Sequence, residues 1–462
     1  MSKKKFRLID VILTVICVVF VAEAAAPVAS IGNSQFFWWI LMIVAFLLPY
    51  GLISSELGTT YQGDGGIYDW VSKAYPKARW GARVAWYYWI NFPLWMSSLA
   101  VVCPELISTA FGIEFDPWIS LIIQLAFIWI VTFIACYPVC DSILILNISA
   151  AIKIVLALTV GTLGIYYVVR NGFVNDMSPM TFLPSFDLES LSYISVIIFN
   201  FLGFEVVCTY ADSMKNPKRQ IPQAIITGGI VIAAIYLFSA FGIGAAVPTK
   251  DISVDSGLID AVYLIIGNTG GLFVAAVALL FLITLFGNMI SWSMGVNSTA
   301  AYAAERHDMP RLFSKRWKKN DMPIGSALAS GGVASVICLL GVIINYISPE
   351  SSLFWSFFAL NLVMLLLSYL PVFTAFLKLR KEDPDTPRPF RVPGGNLLLH
   401  FIAYVPLILI IVAIIFTAIP FSTDPDTLSY YLPITIGSVI TIILGEIIIA
   451  FLRHKRKDKL TK

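Results

Sequence analysis

The stretch Val21-Ala-Glu-Ala-Ala-Ala-Pro27 places a carboxylate and a helix breaker in the middle of an apolar run that extends from Val11 to Ile31. A carboxylate at the centre of a membrane helix costs roughly 2.5 to 3.5 kcal/mol on insertion. Proline removes a backbone donor, and backbone carbonyls freed in this way are tolerated at membrane depth only where they line a cavity. The stretch therefore predicts an interrupted membrane helix with a binding site at the gap. A kinked helix whose Glu23 pairs with a buried cation is the simpler alternative.

The composition and the spacing of apolar runs indicate the fold class. Hydrophobic residues make up 58% of the 462 residues and charged residues only 13%, against roughly 25% charged in soluble domains. Apolar runs long enough to cross a hydrocarbon core of about 30 Å recur along the whole chain. They predict an all-α membrane protein with twelve transmembrane helices, at approximately 9–31, 36–57, 82–109, 117–136, 143–169, 190–211, 222–247, 271–304, 325–347, 352–377, 397–419 and 430–452.

The distribution of lysine and arginine predicts the orientation in the membrane. If the N-terminus is cytoplasmic, every lysine and arginine except Lys153, Arg170 and Lys250 falls in or beside a cytoplasmic segment. Cytoplasmic loops of membrane proteins hold the excess of these residues. Both termini are therefore expected in the cytoplasm. The net charge of +3 then reflects this sidedness and no nucleic-acid partner is expected.

The histidines and cysteines exclude several kinds of site. The three histidines lie at or beyond the cytoplasmic span ends, which excludes a histidine relay inside the membrane. The six cysteines lie within or beside spans, and their spacing indicates neither a disulfide framework nor a metal site. No nucleophile with an adjacent base and no phosphate-binding loop is recognisable. The sequence therefore predicts no enzyme, no cofactor and no bound metal.

A second interruption occurs in the sixth span, in Phe199-Asn-Phe-Leu-Gly-Phe-Glu205, where Gly203 and Glu205 occupy the middle. Interrupted helices at corresponding positions of two halves are typical of transporters built from inverted repeats, with a binding site near the bilayer midplane. We expect a first five-helix repeat at residues 1–170, a second at 171–380, and two further helices with a basic tail at 381–462. Close helix packing is the alternative explanation for Gly203.

Lys153 is the only lysine or arginine at membrane depth. It requires a counter-charge or backbone carbonyls, and carbonyls freed by an interrupted helix would serve. The alternative is extension to the inner headgroups, since Lys153 lies about ten residues, or roughly 15 Å, into its span. Glu105, Asp141 and Glu446 lie nearer span ends, where solvation or local pairing is expected. Glu446 is within reach of Arg453 on its own helix face.

Two stripes of polar and aromatic residues occur at helical spacing in the third and eighth spans. They are Tyr88, Asn91, Trp95 and Ser98 in the third span, and Asn288, Trp292, Gly295 and Thr299 in the eighth. Such stripes suit the aromatic wall of a hydrated cavity. An interfacial aromatic belt or simple helix packing is the alternative.

Several segments together resemble one known family. The first is Glu56-Leu-Gly-Thr-Thr-Tyr-Gln-Gly-Asp-Gly-Gly-Ile-Tyr-Asp-Trp70, which follows the second span. The others are Phe201–Glu205 with Lys215–Pro222, Tyr302–Pro310 and Pro387–Gly394. They are similar to the loop after the second helix, the sixth helix with its following loop, and the loops after helices eight and ten of the amino acid–polyamine–organocation permeases. These matches occur in order, have the correct topology and cover nearly the whole chain.

The resemblance implies two inverted five-helix repeats plus two helices, with alternating access to a midplane site. It is strongest to bacterial arginine/agmatine-type and agmatine/putrescine-type exchangers, which implies a multi-pass protein of the bacterial plasma membrane and leaves a homodimer open. Phe199 and Trp292 correspond to aromatic gates of that family. Glu205 corresponds to an acid implicated in gating or substrate coupling, and Lys153 to a lysine that replaces a sodium ion in several relatives.

The first break departs from the family pattern. Members that bind amino acids usually have Gly-Ser-Gly there, whose bare amides hold the substrate carboxylate, whereas this chain has Ala22-Glu-Ala-Ala-Ala26. A carboxylate at this place repels an amino acid and attracts an amine, because opposite charges about 4 Å apart gain about 4 kcal/mol at an effective dielectric of about 20. The expected substrate-binding residues are Glu23, Ala24, Asn91, Trp95, Phe199, Gly203, Glu205, Asn288 and Trp292, with Lys153 in coupling.

Three functional hypotheses follow. The first is exchange of external agmatine for internal putrescine, because a dication neutralises Glu23 and Glu205 and stacks on aromatic walls. The second is proton-coupled amino-acid uptake, with Glu23 protonated in a dry site and Lys153 carrying the proton. The third is a sensor that does not transport, built on the same fold.

Overall fold

The computed structural model describes residues 5–21, 25–252, 262, 265–266, 271–347 and 353–460. Within these residues the chain is helical, and the one isolated β-bridge joins Phe6 to Met214. Up to residue 171 the helices are α1 Leu8–Val19, α2 Ala25–Val28, α3 Ser34–Met42, α4 Leu48–Thr60, α5 Gly66–Ala74, α6 Trp80–Phe111, α7 Pro117–Ile134 and α8 Val139–Asn171. They continue with α9 Leu188–Ser192, α10 Ile194–Phe199, α11 Phe204–Cys208, α12 Pro217–Ala246, α13 Leu272–Glu305, α14 Ile324–Ile347, α15 Leu353–Glu382, α16 Asn396–Ala418 and α17 Pro425–Leu460.

The length and composition of these helices confirm a membrane-spanning, all-helical protein. Within the described residues, 11 stretches are long and apolar enough to cross a membrane, and α1 is a shorter apolar helix of 12 residues. A π-helical turn at Ile43–Leu47 joins α3 to α4, so that Ser34–Thr60 forms one stretch. The short helices α10 and α11 lie in another, Ser190–Cys208.

The interruption predicted in the sixth span is visible between α10 and α11. The first was predicted at Glu23 to Pro27, but α1 already ends at Val19, and Pro27 lies within the short helix α2. The last turn of α1 closes with the Phe20 amide donating to the Ile16 carbonyl at 3.0 Å, after which the backbone becomes extended. Helix α10 ends at Phe199, and Gly203 takes φ +116° immediately before α11 begins. A side chain in this left-handed region is strained, so glycine allows the chain to turn sharply there.

Close contacts between helices hold the elements that surround these breaks. Helices α8 and α12 approach so closely that a Cβ atom on Gly164 would lie 2.2 Å from the Gly242 carbonyl oxygen. Small residues permit this approach, which van der Waals packing then stabilises in a membrane. Helix α12 in turn anchors the end of α1, because the Tyr236 hydroxyl accepts a hydrogen bond from the Val21 amide at 2.9 Å.

A buried ion-pair cluster joins the end of α4 to the loop after α15. Glu56 is 1% exposed, and its carboxylate accepts from Arg380 Nε at 2.8 Å and from the Val392 amide at 2.7 Å. Arg388 Nε lies 3.2 Å from the same carboxylate. Charge-assisted bonds of this kind are among the stronger hydrogen bonds in proteins. The loop that follows α15 is therefore fixed beneath α4.

The other loop segments of the family resemblance meet on this same side of the molecule. The Tyr61 hydroxyl donates to Asp383 at 2.7 Å, and the Tyr68 hydroxyl donates to Asp308 at 2.8 Å. Hydrogen bonds from the hydroxyls of Thr386 and Tyr61 hold the pKa of Asp383 below its usual value. Three segments far apart in the sequence therefore form one connected surface.

Glu446 has a partner other than the one considered from the sequence. Its carboxylate accepts from Arg83 on α6, with Nε at 2.5 Å and Nη2 at 3.1 Å, so the interpretation that it pairs with Arg453 on its own helix is wrong. Helices α6 and α17 are in close contact at this level, where Trp86 Nε1 donates to the Thr441 carbonyl at 3.0 Å. The bidentate hydrogen bonding across to the neighbouring helix explains why Glu446 pairs with Arg83 and not with Arg453.

Candidate functional site

The two helix interruptions lie side by side. A Cβ atom on Gly203 would be 2.9 Å from Val18 Cγ1 and 3.0 Å from Trp292 Cζ2, so the second break is packed directly against the end of α1 and against α13. Trp292 Nε1 also donates to the Val18 carbonyl at 2.8 Å. Breaks that are separated by about 180 residues of sequence therefore meet at one place. Glu23 and Ala24, which the sequence places in the first break, lie outside the described residues.

Replacing Gly203 with alanine is expected to destabilise the protein by about 2 kcal/mol or more. The cost combines a left-handed conformation, about 1–2 kcal/mol for an ordinary residue, with overlap against Val18 and Trp292, typically about 1–3 kcal/mol. Thermal unfolding of the purified protein measures it.

The matched control is Gly332→Ala on α14, where an added Cβ meets nothing within 4 Å. Alanine there should be neutral or stabilise by up to about 1 kcal/mol, since it favours helix. Equal unfolding temperatures for the two variants would show that the second break tolerates a side chain.

Aromatic rings pack around the point where the breaks meet. Trp95 on α6 contacts Phe199 edge-on, with ring centroids 5.0 Å apart, and Trp292 edge-on at 5.4 Å. Phe199 also contacts Phe358 on α15 at 5.1 Å. The ring of Tyr88, two turns before Trp95, has its centroid 6.3 Å from that of the Trp292 ring. Edge-to-face pairs contribute about 0.5–1.5 kcal/mol each beyond area burial, so these rings form a rigid wall.

Three asparagines within one helical turn of these aromatic residues carry buried side-chain atoms without a hydrogen-bond partner among the described residues. Asn91 lies between Tyr88 and Trp95 on α6, and its Oδ1 is unpartnered. Asn288, one turn before Trp292, and Asn361, one turn after Phe358, have both side-chain polar atoms unpartnered. All three residues are 0% exposed.

Buried polar groups are nearly always satisfied, by protein, water or ligand. These amides therefore have hydrogen-bonding capacity that a bound molecule could use. The sequence interpretation included Asn91 and Asn288 but not Asn361, although an amide within an apolar span is itself a signal.

The Glu205 carboxylate, 1% exposed, is engaged by two tyrosines. Tyr88 donates to Oε1 at 2.6 Å, and the Tyr50 hydroxyl donates to Oε2. The ring of Tyr369 packs beside both tyrosines, with its centroid 5.6 Å from that of the Tyr50 ring and 6.4 Å from that of the Tyr88 ring. Glu205 therefore connects α11 to α4 and α6. The sequence placed this acid near the site but gave no signal for Tyr50 or Tyr369, because neither belongs to a stripe of polar residues.

Lys153 on α8 is 0% exposed and reaches the carbonyls at the end of α1. Its Nζ donates to the Cys17 carbonyl at 2.8 Å and to the Phe20 carbonyl. The alternative in which the side chain extends to the headgroups is therefore wrong. An ammonium group with three donors suits carbonyls that have lost their helical partners. A fixed positive charge lies where α1 ends.

This combination of features is typical of a class of membrane proteins. Interrupted membrane helices that meet at a buried polar site characterise secondary transporters. The chain belongs to the amino acid permease family, whose sequence model matches residues 6–443.

Comparisons with individual proteins agree with the family. The probable agmatine/putrescine antiporter AguD of Lactococcus lactis is 60% identical over 448 residues, which cover 97% of this chain and 95% of the relative. An uncharacterized transporter of Legionella pneumophila is 29% identical over 432 residues, with 92% and 91% covered. The crystal structure of MhsT in complex with L-phenylalanine shares the fold, with a TM-score of 0.63 at 15% identity, covering 90% of this chain and 100% of that one.

Proposed function

We propose that this protein exchanges agmatine for putrescine across the bacterial plasma membrane by alternating access. The observation that carries the proposal is the layer of aromatic rings and unpartnered amides at the meeting point of the two helix breaks. The rings offer faces to a guanidinium or an alkyl chain, and the amide oxygens offer acceptors to ammonium groups. The 60% identity to a probable agmatine/putrescine antiporter supports the same substrate class.

The charge selectivity is assigned to Glu23, on the basis of the sequence. A carboxylate in the first break attracts an amine and repels the carboxylate of an amino acid. The proposed substrate site comprises Glu23, Ala24, Asn91, Trp95, Phe199, Gly203, Asn288 and Trp292, and we add Asn361 to it. A dication without a carboxylate satisfies both the acid and the amide acceptors of this set.

Glu205 and Lys153 are assigned to coupling between the site and the conformational change. The bonds from Tyr50 and Tyr88 to Glu205 support a role in linking α11 to α4 and α6. The bonds from Lys153 to the end of α1 support a role in positioning that end. Because both cargoes are dications, their exchange moves no net charge, and no further ion is required.

The architecture proposed for this function has twelve transmembrane helices. The first inverted repeat occupies residues 1–170, the second 171–380, and two additional helices with the basic tail 381–462. The likeness to the MhsT structure supports the overall fold. Both termini are assigned to the cytoplasm on the distribution of lysine and arginine. The homodimer stays a prediction.

The proton-coupled amino-acid permease and the non-transporting sensor remain as alternatives with less support. Uptake of an amino acid requires a place for its carboxylate beside Glu23, and Lys153 as a proton carrier would have to leave its carbonyl partners. Strong pH dependence with one-way uptake would favour the permease.

Purified protein reconstituted into liposomes tests the exchange directly. Liposomes loaded with labelled putrescine should release it when agmatine is added outside, and should retain it in buffer alone. Release by a neutral amino acid but not by agmatine would contradict the proposal, and the absence of release by either would favour the sensor.

Replacing Asn361 with leucine is expected to raise the KM for diamines about tenfold or more. A hydrogen bond to a charged group contributes about 1.5–3 kcal/mol. Thermal stability should stay equal or increase, because an unpartnered buried amide is exchanged for an apolar group of similar size. Exchange rates at varied agmatine concentration measure the effect.

The control is Asn33→Leu. Asn33 is buried, and its side-chain amide donates to the Asp176 carbonyl at 2.7 Å and to the Thr181 hydroxyl at 2.9 Å. This variant should lose stability and keep the wild-type KM. If Asn361→Leu behaves like Asn33→Leu, Asn361 has a structural role and does not contact the substrate.

A further inference from the structure

We propose that a basic cleft between α17 and the α5–α6 loop binds the phosphate headgroup of an anionic phospholipid. The cleft has a volume of about 240 Å³ and lies away from the helix breaks. Its walls come from three parts of the chain: the loop that carries Lys77 and Arg79, His307 and Asp308 after α13, and the end of α17 at Arg453. Basic pockets between transmembrane helices are typical binding places for anionic headgroups.

The basic side chains that line the cleft form no close ion pairs within the described part of the protein. Among the described residues, Lys77, Arg79 and Arg453 form no ion pair. One helical turn further along α6, by contrast, Arg83 forms an ion pair with Glu446. The acidic member of the cleft, Asp308, accepts the Tyr68 hydroxyl. Glu446 also interacts electrostatically with Arg79, so that four cations, counting Arg83, stand against the two acids Asp308 and Glu446. The cleft therefore keeps an excess of positive charge that attracts phosphate.

The backbone adds to this preference for an anion. Helix α6 is 32 residues long and begins in the cleft, where Arg79 at its N-cap provides no side-chain capping bond. The first amides of a helix lack intrahelical partners, and the helix dipole favours negative charge there. The cleft therefore offers backbone donors beside the basic side chains.

The surroundings of the cleft favour a lipid over a free anion. Ile449 and Leu452 of α17 form its apolar side. At helical spacing, Leu452 continues along the same face of α17 through the half-buried Ile448 to Leu444, whose side chain is 49% exposed. Trp80 is 41% exposed beside the cleft, as is typical of tryptophans at a membrane interface. A phosphate in the cleft would therefore have acyl chains lying along α17.

The test measures binding of phosphatidylglycerol to the purified full-length protein, with phosphatidylcholine as the uncharged comparison. Wild-type protein should bind phosphatidylglycerol preferentially. The variant K77Q/R79Q/R453Q should lose at least about tenfold in this binding, because each basic residue near an anionic surface contributes roughly a fivefold factor. The single variant R453Q, exposed on α17, should lose about fivefold and serves if the triple variant does not fold.

The matched control is K315Q/K318Q/K319Q, which removes the same charge from exposed residues of the loop between α13 and α14. It should bind phosphatidylglycerol as the wild type does. An equal loss in this control would show that general surface charge is responsible and would overturn the proposal. Equal binding of phosphatidylcholine by the wild type would also overturn it.

A competition experiment distinguishes a phospholipid headgroup from free inorganic phosphate as the ligand of the cleft. An excess of inorganic phosphate should leave phosphatidylglycerol bound, because the ion lacks acyl chains to contact Ile449 and Leu452. Full displacement by inorganic phosphate would show that the cleft takes a free anion and not a lipid. None of these readouts depends on transport, so the outcome is independent of the proposed exchange.

Discussion

Replacing Glu23 with glutamine is expected to reduce agmatine–putrescine exchange about a thousandfold. An ammonium or guanidinium group about 4 Å from the carboxylate gains about 4 kcal/mol at an effective dielectric of about 20, and glutamine removes that term while keeping nearly the same shape. Each 1.4 kcal/mol corresponds to a factor of about ten in affinity. Exchange in liposomes at varied agmatine concentration measures the loss, which should appear chiefly as an increase in KM.

The change should also alter selectivity, because the repulsion of amino-acid carboxylates is removed together with the attraction of amines. The control is Glu114→Gln in the exposed loop between α6 and α7, which changes the same charge away from the helix breaks and should leave exchange unchanged. Wild-type affinity for agmatine at neutral pH in Glu23→Gln would refute the role of this acid and, with it, the substrate assignment. The family membership does not depend on this result.

Replacing Lys153 with methionine is expected to lower the exchange rate at least about a hundredfold. Two charge-assisted hydrogen bonds, worth about 1.5–3 kcal/mol each, hold the Cys17 and Phe20 carbonyls at the end of α1. Without them the carbonyls lose a donor, and the fixed positive charge beside the first break disappears. Initial rates of exchange in liposomes measure the effect.

Thermal stability should change less than transport in this variant. Removal of Lys153 also removes the desolvation cost of a buried ammonium group, which offsets the lost bonds in the folding equilibrium. The matched control is Lys250→Met, at an exposed lysine after α12. Wild-type exchange by Lys153→Met would show that the lysine only fills space, whereas equal losses of rate in both variants would point to a general effect of charge.

The approximate position of each break was predictable from the sequence because helix breakers act locally. Gly203 permits the positive φ that ends one helix before the next begins. Pro27 indicated a break nearby but not its exact place, because α1 ends at Val19 and Pro27 lies in the first turn of α2, where proline is tolerated. The residues that pack against each break were not predictable from the sequence. The contact of Gly203 with Val18 and Trp292 depends on how three helices cross, and no local pattern contains that information.

In the candidate site, too, some residues were predictable from the sequence and others were recognisable only in the structure. The residues Asn91, Trp95, Asn288 and Trp292 were recognisable as helical stripes. The structure packs Trp95 against Phe199 and Trp292, and it buries polar atoms of both asparagines without a partner among the described residues. Asn361 lies on α15 one turn after Phe358, which contacts Phe199, and it was missed because it does not belong to either stripe. Its contribution became visible only through the absence of a partner for its amide among the described residues.

The sequence by itself determined the membrane class, the all-helical fold, the approximate places where helices break and the family, since hydropathy, helix breakers and motifs are properties of neighbouring residues. Only the tertiary structure decided which groups meet. Lys153 bonds to carbonyls more than a hundred residues away, Glu205 accepts from Tyr50 and Tyr88, and Glu446 pairs with Arg83 instead of Arg453. A buried charge selects its partner by distance and desolvation in three dimensions, so these pairings required the packed helices.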